Sequence, residues 1–201
     1  MISSHEVKFL YCSLSPCEVP PVLYSENGEP LCEIALVGRS NVGKSSLINH
    51  LLQHKIAYTS NKPGKTQTIN FISAPPFCLV DLPGYGFAKV SKTLQGQWDK
   101  MLRSYFLRSS LRAVLLLIDS RRNCGEADFT FINFIHQLNI PLMMVFTKWD
   151  KLTTSEQKKK QSQITDYYQQ FSSYPIVTYS IKNAQTRKYL LSSLANFKRN
   201  F

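Results

Sequence analysis

The sequence predicts an α/β fold, with a six-stranded, mostly parallel sheet covered by helices on both faces. Short apolar runs alternate with segments whose apolar residues recur at helical spacing. The link Ala74-Pro75-Pro76 is too short for the crossover that parallel strands need, so it predicts one antiparallel hairpin. Polar motifs follow the ends of the apolar runs, which is where ligands bind in such sheets.

Strands and helices are predicted in a regular order from residue 33 onward. The first strand is expected at about 33–37 and the first helix at about 44–52, and strands at about 69–73 and 77–81 form the hairpin. The later predicted elements are a helix near 94–108, a strand at 113–118, a helix at 126–138, a strand at 142–146, a helix near 155–171 that begins with a capping box at Thr153 and Glu156, a strand at 176–179, and a last helix carrying Leu190, Leu191, Leu194 and Phe197.

Residues 1–32 are predicted to be an N-terminal extension, and residues 33–201 the main domain. Prolines 16, 20, 21 and 30 indicate an extended connector, with at most one short strand at 7–11. This terminus lacks the basic-then-apolar pattern of a signal peptide. No apolar run approaches the ~20 residues of a membrane span. We therefore expect a cytoplasmic protein without a membrane partner and, by default, a monomer.

The composition points to a polyanionic partner. The net charge is +11, and the lysines and arginines are spread over the whole domain rather than collected in one block. This favours nucleic acid over membrane. The five cysteines include no CxxC pair, so we expect reduced thiols that serve packing; Cys12 and Cys17 as half of a metal site is a weaker alternative.

The segment Gly38–Ser45 has the pattern GxxxxGK[ST] between a predicted strand and a predicted helix, which is the context of a phosphate-binding P-loop. Gly38 and Gly43 let backbone amides wrap around phosphate oxygens, and the N-terminus of the helix faces the same place. Lys44 brings charge to the β- and γ-phosphates, and Ser45 offers a hydroxyl ligand to Mg²⁺. The alternative is a chance match in a Gly/Ser loop, which this context disfavours.

Three more motifs follow later strands. The segment Asp81–Gly84 has the form DxxG, in which the carboxylate can hold Mg²⁺ through water and the glycine N–H can reach a γ-phosphate. In the segment 147–150 (TKWD), the Asp150 carboxylate can accept two hydrogen bonds from guanine that adenine cannot supply; a helix cap is the alternative role for Asp150. The amides of the segment 180–182 (SIK) can meet the guanine carbonyl. The order of the motifs predicts a GTP-binding domain.

The strings GRSNVGKSSLIN, KPGKTQTINF, DLPGYGFAKV and TKWD, followed by SIK, closely resemble those of the EngB-type ribosome-biogenesis GTP-binding proteins. The resemblance runs from about residue 33 to the C-terminus. It implies a Ras-like P-loop GTPase fold, Mg²⁺-dependent binding of GTP and GDP, and GTP hydrolysis. It also implies a role in late assembly of the large ribosomal subunit, with ribosomal RNA and proteins as partners, and a need for the protein in cell division and septation.

By position, the resemblance also implies the roles of individual residues. The first switch would be Gly64–Thr68, and the second would begin at Asp81–Gly84. Catalytic roles would fall to Lys44, Thr66 and Gly84. Mg²⁺ would be held by Ser45, by Thr66 and, through water, by Asp81. The residues implied to bind GTP are Gly38, Arg39, Ser40, Asn41, Val42, Gly43, Lys44, Ser45, Gly64, Lys65, Thr66, Gln67, Thr68, Asp81, Leu82, Pro83, Gly84, Thr147, Lys148, Trp149, Asp150, Tyr179, Ser180 and Ile181.

Some positions depart from common GTPase patterns. Thr147 replaces the usual Asn, as it does in EngB-type proteins. Tyr85 stands where Ras-like enzymes place the glutamine that orients water, which predicts slow intrinsic hydrolysis. Asn41 resembles the asparagine of potassium-stimulated GTPases, so a K⁺ ion near Asn41 is a hypothesis. The segment Asn183-Ala184-Gln185 replaces the glycine-containing turn that is common in the family.

The leading interpretation is a GTPase switch, in which GTP orders residues 59–68 and 85–90 and the ordered form binds the ribosome. The first alternative is a GTP-gated assembly module with negligible hydrolysis, which Tyr85 favours. The second is another P-loop enzyme, such as an ATPase or a small-molecule kinase.

Overall fold

A computed structural model describes residues 7–13, 21–24, 28, 30–57, 68–75, 77–84, 100–170 and 174–199 of the chain. The strands are β1 (Lys8–Ser13), β2 (Cys32–Gly38), β3 (Ile69–Ala74), β4 (Phe77–Asp81), β5 (Leu111–Asp119), β6 (Leu142–Thr147) and β7 (Ile176–Thr178). The helices are α1 (Lys44–Leu52), α2 (Glu126–Gln137), α3 (Thr154–Gln170) and α4 (Ala184–Arg199), with a further helical stretch at 100–106 and a 3₁₀ turn at Trp149–Lys151.

The strands form one sheet in the order β1-β3-β4-β2-β5-β6-β7. Strands β4, β2, β5, β6 and β7 run parallel, whereas β3 pairs antiparallel with both β1 and β4. The predicted α/β fold with a mostly parallel sheet and one hairpin is therefore confirmed. The sheet has seven strands rather than six, because β1 adds an edge strand beside β3. The division of the chain at residue 32 stays a prediction.

The core lies on both faces of the sheet, and successive residues of a strand face opposite layers. Ile34 and Leu36 of β2 belong to the layer that includes α1 and α4, while Ala35 and Val37 belong to the layer that includes α2 and the helical stretch 100–106. The apolar run 113–118 within β5 is buried on both sides, as is usual for a parallel strand.

The helices agree with the sequence pattern. At the start of α3, the Thr153 N–H donates to Glu156 Oε2 (2.7 Å) and the Glu156 N–H donates to Thr153 Oγ1 (3.4 Å), so the predicted capping box is present. The helix expected near 94–108 is seen at 100–106, and residues 94–99 lie outside the described part of the chain. Within the described residues, no helix is both long enough and apolar enough to span a bilayer.

A buried ion pair lies at the amino ends of β2 and β5. Arg108 Nη2 lies 2.7 Å from Glu33 Oε1, and the two side chains are 6% and 0% exposed. Ser110 Oγ donates to the same carboxylate oxygen at 2.9 Å, and the guanidinium stacks over the rings of Phe71 and Tyr105. Burial raises the pKa of Glu33 despite the opposing charge of Arg108. This cluster joins the two central strands at the edge opposite the motifs.

The three cysteines whose side chains are described, Cys32, Cys78 and Cys124, are free thiols. Cys17 and the side chain of Cys12 lie outside the described part, so the alternative of a metal half-site there stays untested.

Candidate functional site

The P-loop joins the carboxyl end of β2 to α1. Gly43, at the N-cap of α1, has φ of +108°, a backbone conformation that a residue with a Cβ rarely adopts. The first turn of α1 contains no acidic residue, and Gly43 has no side chain to accept hydrogen bonds from the helix amides. These amides therefore remain available at the positive end of the helix, as a bound phosphate requires.

Lys44, Ser45 and Asp81 come together beside the P-loop. Asp81, the last residue of β4, is 4% exposed, and its Oδ2 accepts a hydrogen bond from Ser45 Oγ at 3.4 Å. Burial raises the pKa of Asp81 to about 6, against the opposing effects of the Lys44 ammonium and the Ser45 hydroxyl. Burial likewise lowers the pKa of Lys44, and the charge of Asp81 opposes this shift. The pair is thus a desolvated cation and anion at the expected phosphate position.

The same residues suit a magnesium ion. Asp81 Oδ1 is buried and has no hydrogen-bond partner among the described residues. A buried carboxylate oxygen without a partner is costly, and a hard cation with its water shell would satisfy it. The Ser45 hydroxyl beside it supplies a second oxygen. The donor set that the structure describes therefore fits Mg²⁺, with Ser45 as ligand and Asp81 acting through water.

Gly84 packs directly against the P-loop backbone. A Cβ added to Gly84 would lie 2.9 Å from Ser40 N, 3.0 Å from Gly38 O and 3.2 Å from Arg39 C. The first distance is shorter than real Cβ atoms show and the other two are tighter than most, so only glycine fits without a shift of the loop. The two residues between Asp81 and Gly84 are buried, and the Leu82 N–H donates to Leu36 O of β2. The DxxG segment and the P-loop therefore form one packed unit.

Thr147 ties the P-loop to β6. Its buried Oγ1 lies 2.7 Å from Val42 O and 3.2 Å from Ile118 O, so the hydroxyl can donate to the P-loop carbonyl. A short hydroxyl side chain thus reaches the P-loop from position 147, where most GTPases have Asn.

Lys148 connects three elements of the site. Its backbone is left-handed, with φ of 59°, and its Nζ donates to Asn41 O at 2.6 Å and to Asp119 Oδ2 at 2.8 Å. Asp119 ends β5 and also accepts hydrogen bonds from Arg121. Sequence reasoning missed Asp119 and Arg121, although one signal was available, since Asp119 ends an apolar strand just as Asp81 does.

Burial raises the pKa of Asp119, but the hydrogen bonds from Arg121 and Lys148 outweigh this effect and hold the pKa well below its usual range. Asp119 is therefore a carboxylate at physiological pH. Together with the P-loop residues Arg39, Ser40 and Asn41, the Asp119–Lys148 pair lines one side of a pocket at the carboxyl edge of the sheet.

The guanine motif is assembled from the ends of β6 and β7. Asp150 Oδ1 accepts a hydrogen bond from Ser180 Oγ at 2.9 Å, and Lys182 Nζ lies 3.8 Å from Asp150 Oδ2. The Trp149 N–H donates to Tyr179 O at 3.2 Å, which holds the two segments side by side. The carboxylate is thus oriented by Ser180 while one oxygen faces a surface lysine. Its expected contact with guanine stays a prediction.

Tyr179 lies in the motif but has a buried phenol ring. The ring is 1% exposed, and its hydroxyl lies 2.7 Å from His50 Nδ1 near the end of α1. Arg187 of α4 donates through Nε to His50 O and Leu51 O, which joins α4 to the same helix end. The Tyr179 side chain therefore supports the loop, and only its backbone remains for a ligand. Ile181, by contrast, is 50% exposed.

Several predicted residues cannot be placed. Gly64, Lys65, Thr66 and Gln67 of the first switch lie outside the described residues, as does Tyr85. Thr68, at the end of that segment, donates through Oγ1 to Asn70 Oδ1 at 3.2 Å.

The comparisons with known proteins agree with this geometry. A family model described as "50S ribosome-binding GTPase" matches residues 33–148. A probable GTP-binding protein EngB from Thermotoga sp. (strain RQ2) is 41% identical over 174 residues, which are 86% of each chain. Another, from Geobacillus thermodenitrificans (strain NG80-2), is 46% identical over 144 residues, which are 70% of this chain and 73% of the relative.

Solved structures show the same fold. Era in complex with MgGDPNP and nucleotides 1506–1542 of 16S ribosomal RNA has a TM-score of 0.69 and 26% identity, and the match covers 83% of this chain and 56% of Era. A probable GTP-binding protein EngB has a TM-score of 0.67 and 24% identity, with 84% of this chain and 100% of that chain covered. The extent of these matches excludes the alternative of an unrelated P-loop enzyme. The chain belongs to the EngB-type GTP-binding proteins of the P-loop GTPase family.

Proposed function

We propose that this protein is a slow GTPase that binds GTP or GDP with Mg²⁺. It acts in the cytoplasm as a switch in late assembly of the large ribosomal subunit. Cell division and septation depend on that step. The observation that carries the proposal is the unit formed by Lys44, Ser45, Asp81 and Gly84 against the P-loop. A domain of this kind with a net charge of +11 is suited to a polyanionic partner such as ribosomal RNA.

The residues around the phosphate site support nucleotide hydrolysis. When bound, Mg²⁺ neutralises charge on the β- and γ-phosphates. Lys44 is buried, and in this low-dielectric environment its charge would interact strongly with phosphate oxygens. The Gly84 N–H, fixed beside the P-loop, is the natural donor to the γ-phosphate, and this contact reports whether GTP or GDP is present. Removal of Mg²⁺ with a chelator should weaken GDP binding, measured by fluorescent nucleotide displacement.

The rate of hydrolysis separates the proposal from its main alternative. Tyr85 cannot orient water as glutamine does, so slow intrinsic turnover follows, and negligible turnover would indicate a GTP-gated assembly module. The measurement is phosphate release with and without large ribosomal subunits. Stimulation by the particles supports a switch that uses hydrolysis. Equal and negligible release in both cases supports the gated module.

Potassium dependence is a further part of the proposal. Asn41 has a left-handed backbone (φ of 60°), and its carbonyl accepts a hydrogen bond from Lys148, which fixes the backbone from which the amide side chain extends. We expect K⁺ near this side chain to add positive charge to the phosphate site. GTP turnover should be faster in potassium chloride than in sodium chloride of equal concentration. Equal turnover in the two salts would contradict a role for K⁺.

Guanine selection is proposed to depend on Asp150. Because Asp150→Asn replaces a pure acceptor by a group that also donates, it should shift the preference from guanine to xanthine nucleotides. The measurement is competition of GDP and xanthosine diphosphate for the same site. Unchanged affinity for GDP in this variant would contradict the role of Asp150. Lys182→Ala, which removes only the distant lysine, is the control and should alter the preference little.

Binding to the ribosome is tested directly by co-sedimentation with purified large subunits, mature and immature, in GDP and in a non-hydrolysable GTP analogue. Binding should require the GTP analogue, and it should weaken steeply with salt if RNA phosphates are contacted. Salt-independent binding would indicate docking on ribosomal proteins. If neither nucleotide state binds, the ribosomal role is wrong while the GTP site stands.

A further inference from the structure

Lys148 of the guanine motif is held by an arrangement that reaches beyond the nucleotide motifs. Its Nζ donates to Asn41 O in the P-loop and to Asp119 Oδ2 at the end of β5. Asp119 and Thr147 are paired in register across β5 and β6, so Asp119 lies beside the residue that precedes Lys148. The lysine side chain is 27% exposed, which leaves one side of it open to a ligand.

Arg121 fixes the Asp119 carboxylate from the other side. Arg121 Nε donates to Oδ1 at 2.9 Å, Nη2 donates to Oδ2 at 2.7 Å, and the Arg121 backbone N–H donates to Oδ1 at 3.1 Å. A two-pronged guanidinium contact of this kind sets both the position and the plane of a carboxylate. The carboxylate can therefore offer Oδ2 to Lys148 in one orientation only.

The loop that carries Arg121 is itself anchored. Lys160 of α3 is 7% exposed, and its Nζ donates to Arg122 O and to Asn123 Oδ1, each at 2.8 Å. These bonds hold the turn after β5 against α3. Hydrogen bonds and the backbone of residues 121–123 thus connect α3, through this turn and Asp119, to Lys148 and the P-loop.

We propose that Asp119 and Arg121 are positioning residues for nucleotide binding: without touching the nucleotide, they hold Lys148 in the place from which it lies along the guanine base and supports the P-loop. A free lysine side chain loses rotamer entropy when it is ordered. The Asp119–Arg121 pair imposes this order before the nucleotide arrives, so the binding step does not include that loss.

Neighbouring arginines provide a matched test. Arg121→Ala and Arg122→Ala remove the same charge from adjacent positions, but only Arg121 contacts Asp119 with its side chain; Arg122 contributes its backbone carbonyl. Arg121→Ala should weaken GDP binding about ten-fold, mainly through faster release, whereas Arg122→Ala should stay within about two-fold of the native protein. The turnover at saturating GTP should be the same in all three proteins, since the pair affects binding before the chemical step.

A double-mutant cycle distinguishes positioning from a general structural role. If Arg121 acts through Lys148, Arg121→Ala should cost almost nothing further in a Lys148→Ala background. Arg121→Lys, which keeps the charge but loses the fork, should fall between the native protein and Arg121→Ala. The thermal midpoint of each variant without nucleotide shows whether folding has changed.

Three results would overturn the proposal. One is an equal loss of GDP affinity in Arg121→Ala and Arg122→Ala. Another is a full ten-fold effect of Arg121→Ala when Lys148 is already alanine. The third is a drop in the nucleotide-free thermal midpoint that by itself accounts for the weaker binding, because that would make Arg121 a stability residue.

Discussion

Replacing Gly84 by alanine tests whether the DxxG segment and the P-loop are one packed unit. The added Cβ would lie 2.9–3.2 Å from three backbone atoms of residues 38–40, where ordinary contact begins at about 3.4 Å. Backbone atoms of a P-loop held by Thr147 and Lys148 cannot move aside as a flexible side chain would. Overpacking of this kind costs about 1–3 kcal/mol.

For a chain of this size, each kcal/mol lowers the thermal midpoint by about 2–4 °C, so the nucleotide-free Gly84→Ala variant should melt about 2–12 °C lower. The rise in midpoint on adding GDP should also be smaller than in the native protein, because the displaced P-loop binds phosphate less well. Differential scanning calorimetry with and without GDP measures both.

Gly125→Ala is the matched control for this substitution. A Cβ there meets nothing closer than Asp128 Oδ2 at 3.8 Å, and the residue already has an ordinary extended backbone, with φ of −107°. Its midpoint should change by no more than about 2 °C. If Gly84→Ala and Gly125→Ala melt alike and respond alike to GDP, the packing argument for Gly84 is wrong.

Two other substitutions test contacts that support the sheet and the P-loop. Arg108→Met should cost about 3–5 kcal/mol because it leaves Glu33 charged and buried, and Glu33→Gln in the same chain should restore most of that loss. Burial already raises the pKa of Glu33, and the loss of Arg108 raises it further. The deficit in denaturant titrations should therefore be largest at alkaline pH and should shrink as the pH falls through this raised pKa, because Glu33 then takes up a proton; a pH-independent deficit would contradict this. Thr147→Val should lower the free energy of unfolding by about 1–3 kcal/mol because it leaves Val42 O without its donor, and Thr147→Ser should retain the hydrogen bond and the stability. If the two variants melt at the same temperature, the Thr147–Val42 hydrogen bond does not stabilise the P-loop.

The parts that local patterns determine were predictable from the sequence. Thr153 and Glu156 form their capping box because the two residues need only each other. The strand-loop-helix context of Gly38–Ser45 likewise fixed the P-loop, because the glycines, the lysine and the helix start are contiguous. The hairpin of β3 and β4 followed from the length of its link.

Features that depend on distant parts of the chain were not predictable in this way. A short strand was expected at 7–11, and β1 is found at Lys8–Ser13, but its place beside β3 is decided by pairing with residues about sixty positions away. The role of Asp119 depends on the adjacency of β5 and β6, which brings Lys148 within hydrogen-bonding distance. Tyr179 was expected at the ligand. The position of α1 shows instead that the Tyr179 hydroxyl is hydrogen-bonded to His50.

The pairing of β3 on both sides restricts how this strand can move along its neighbours. β3 begins just after the segment predicted to be the first switch and is paired along its length on both sides, with β1 and with β4. Sliding by one residue would turn Phe71 and Ile72 to opposite faces and break both ladders at once. The strand is therefore held in register on both sides, and we expect its pairing with β1 and β4 to be the same in the GTP-bound and GDP-bound protein.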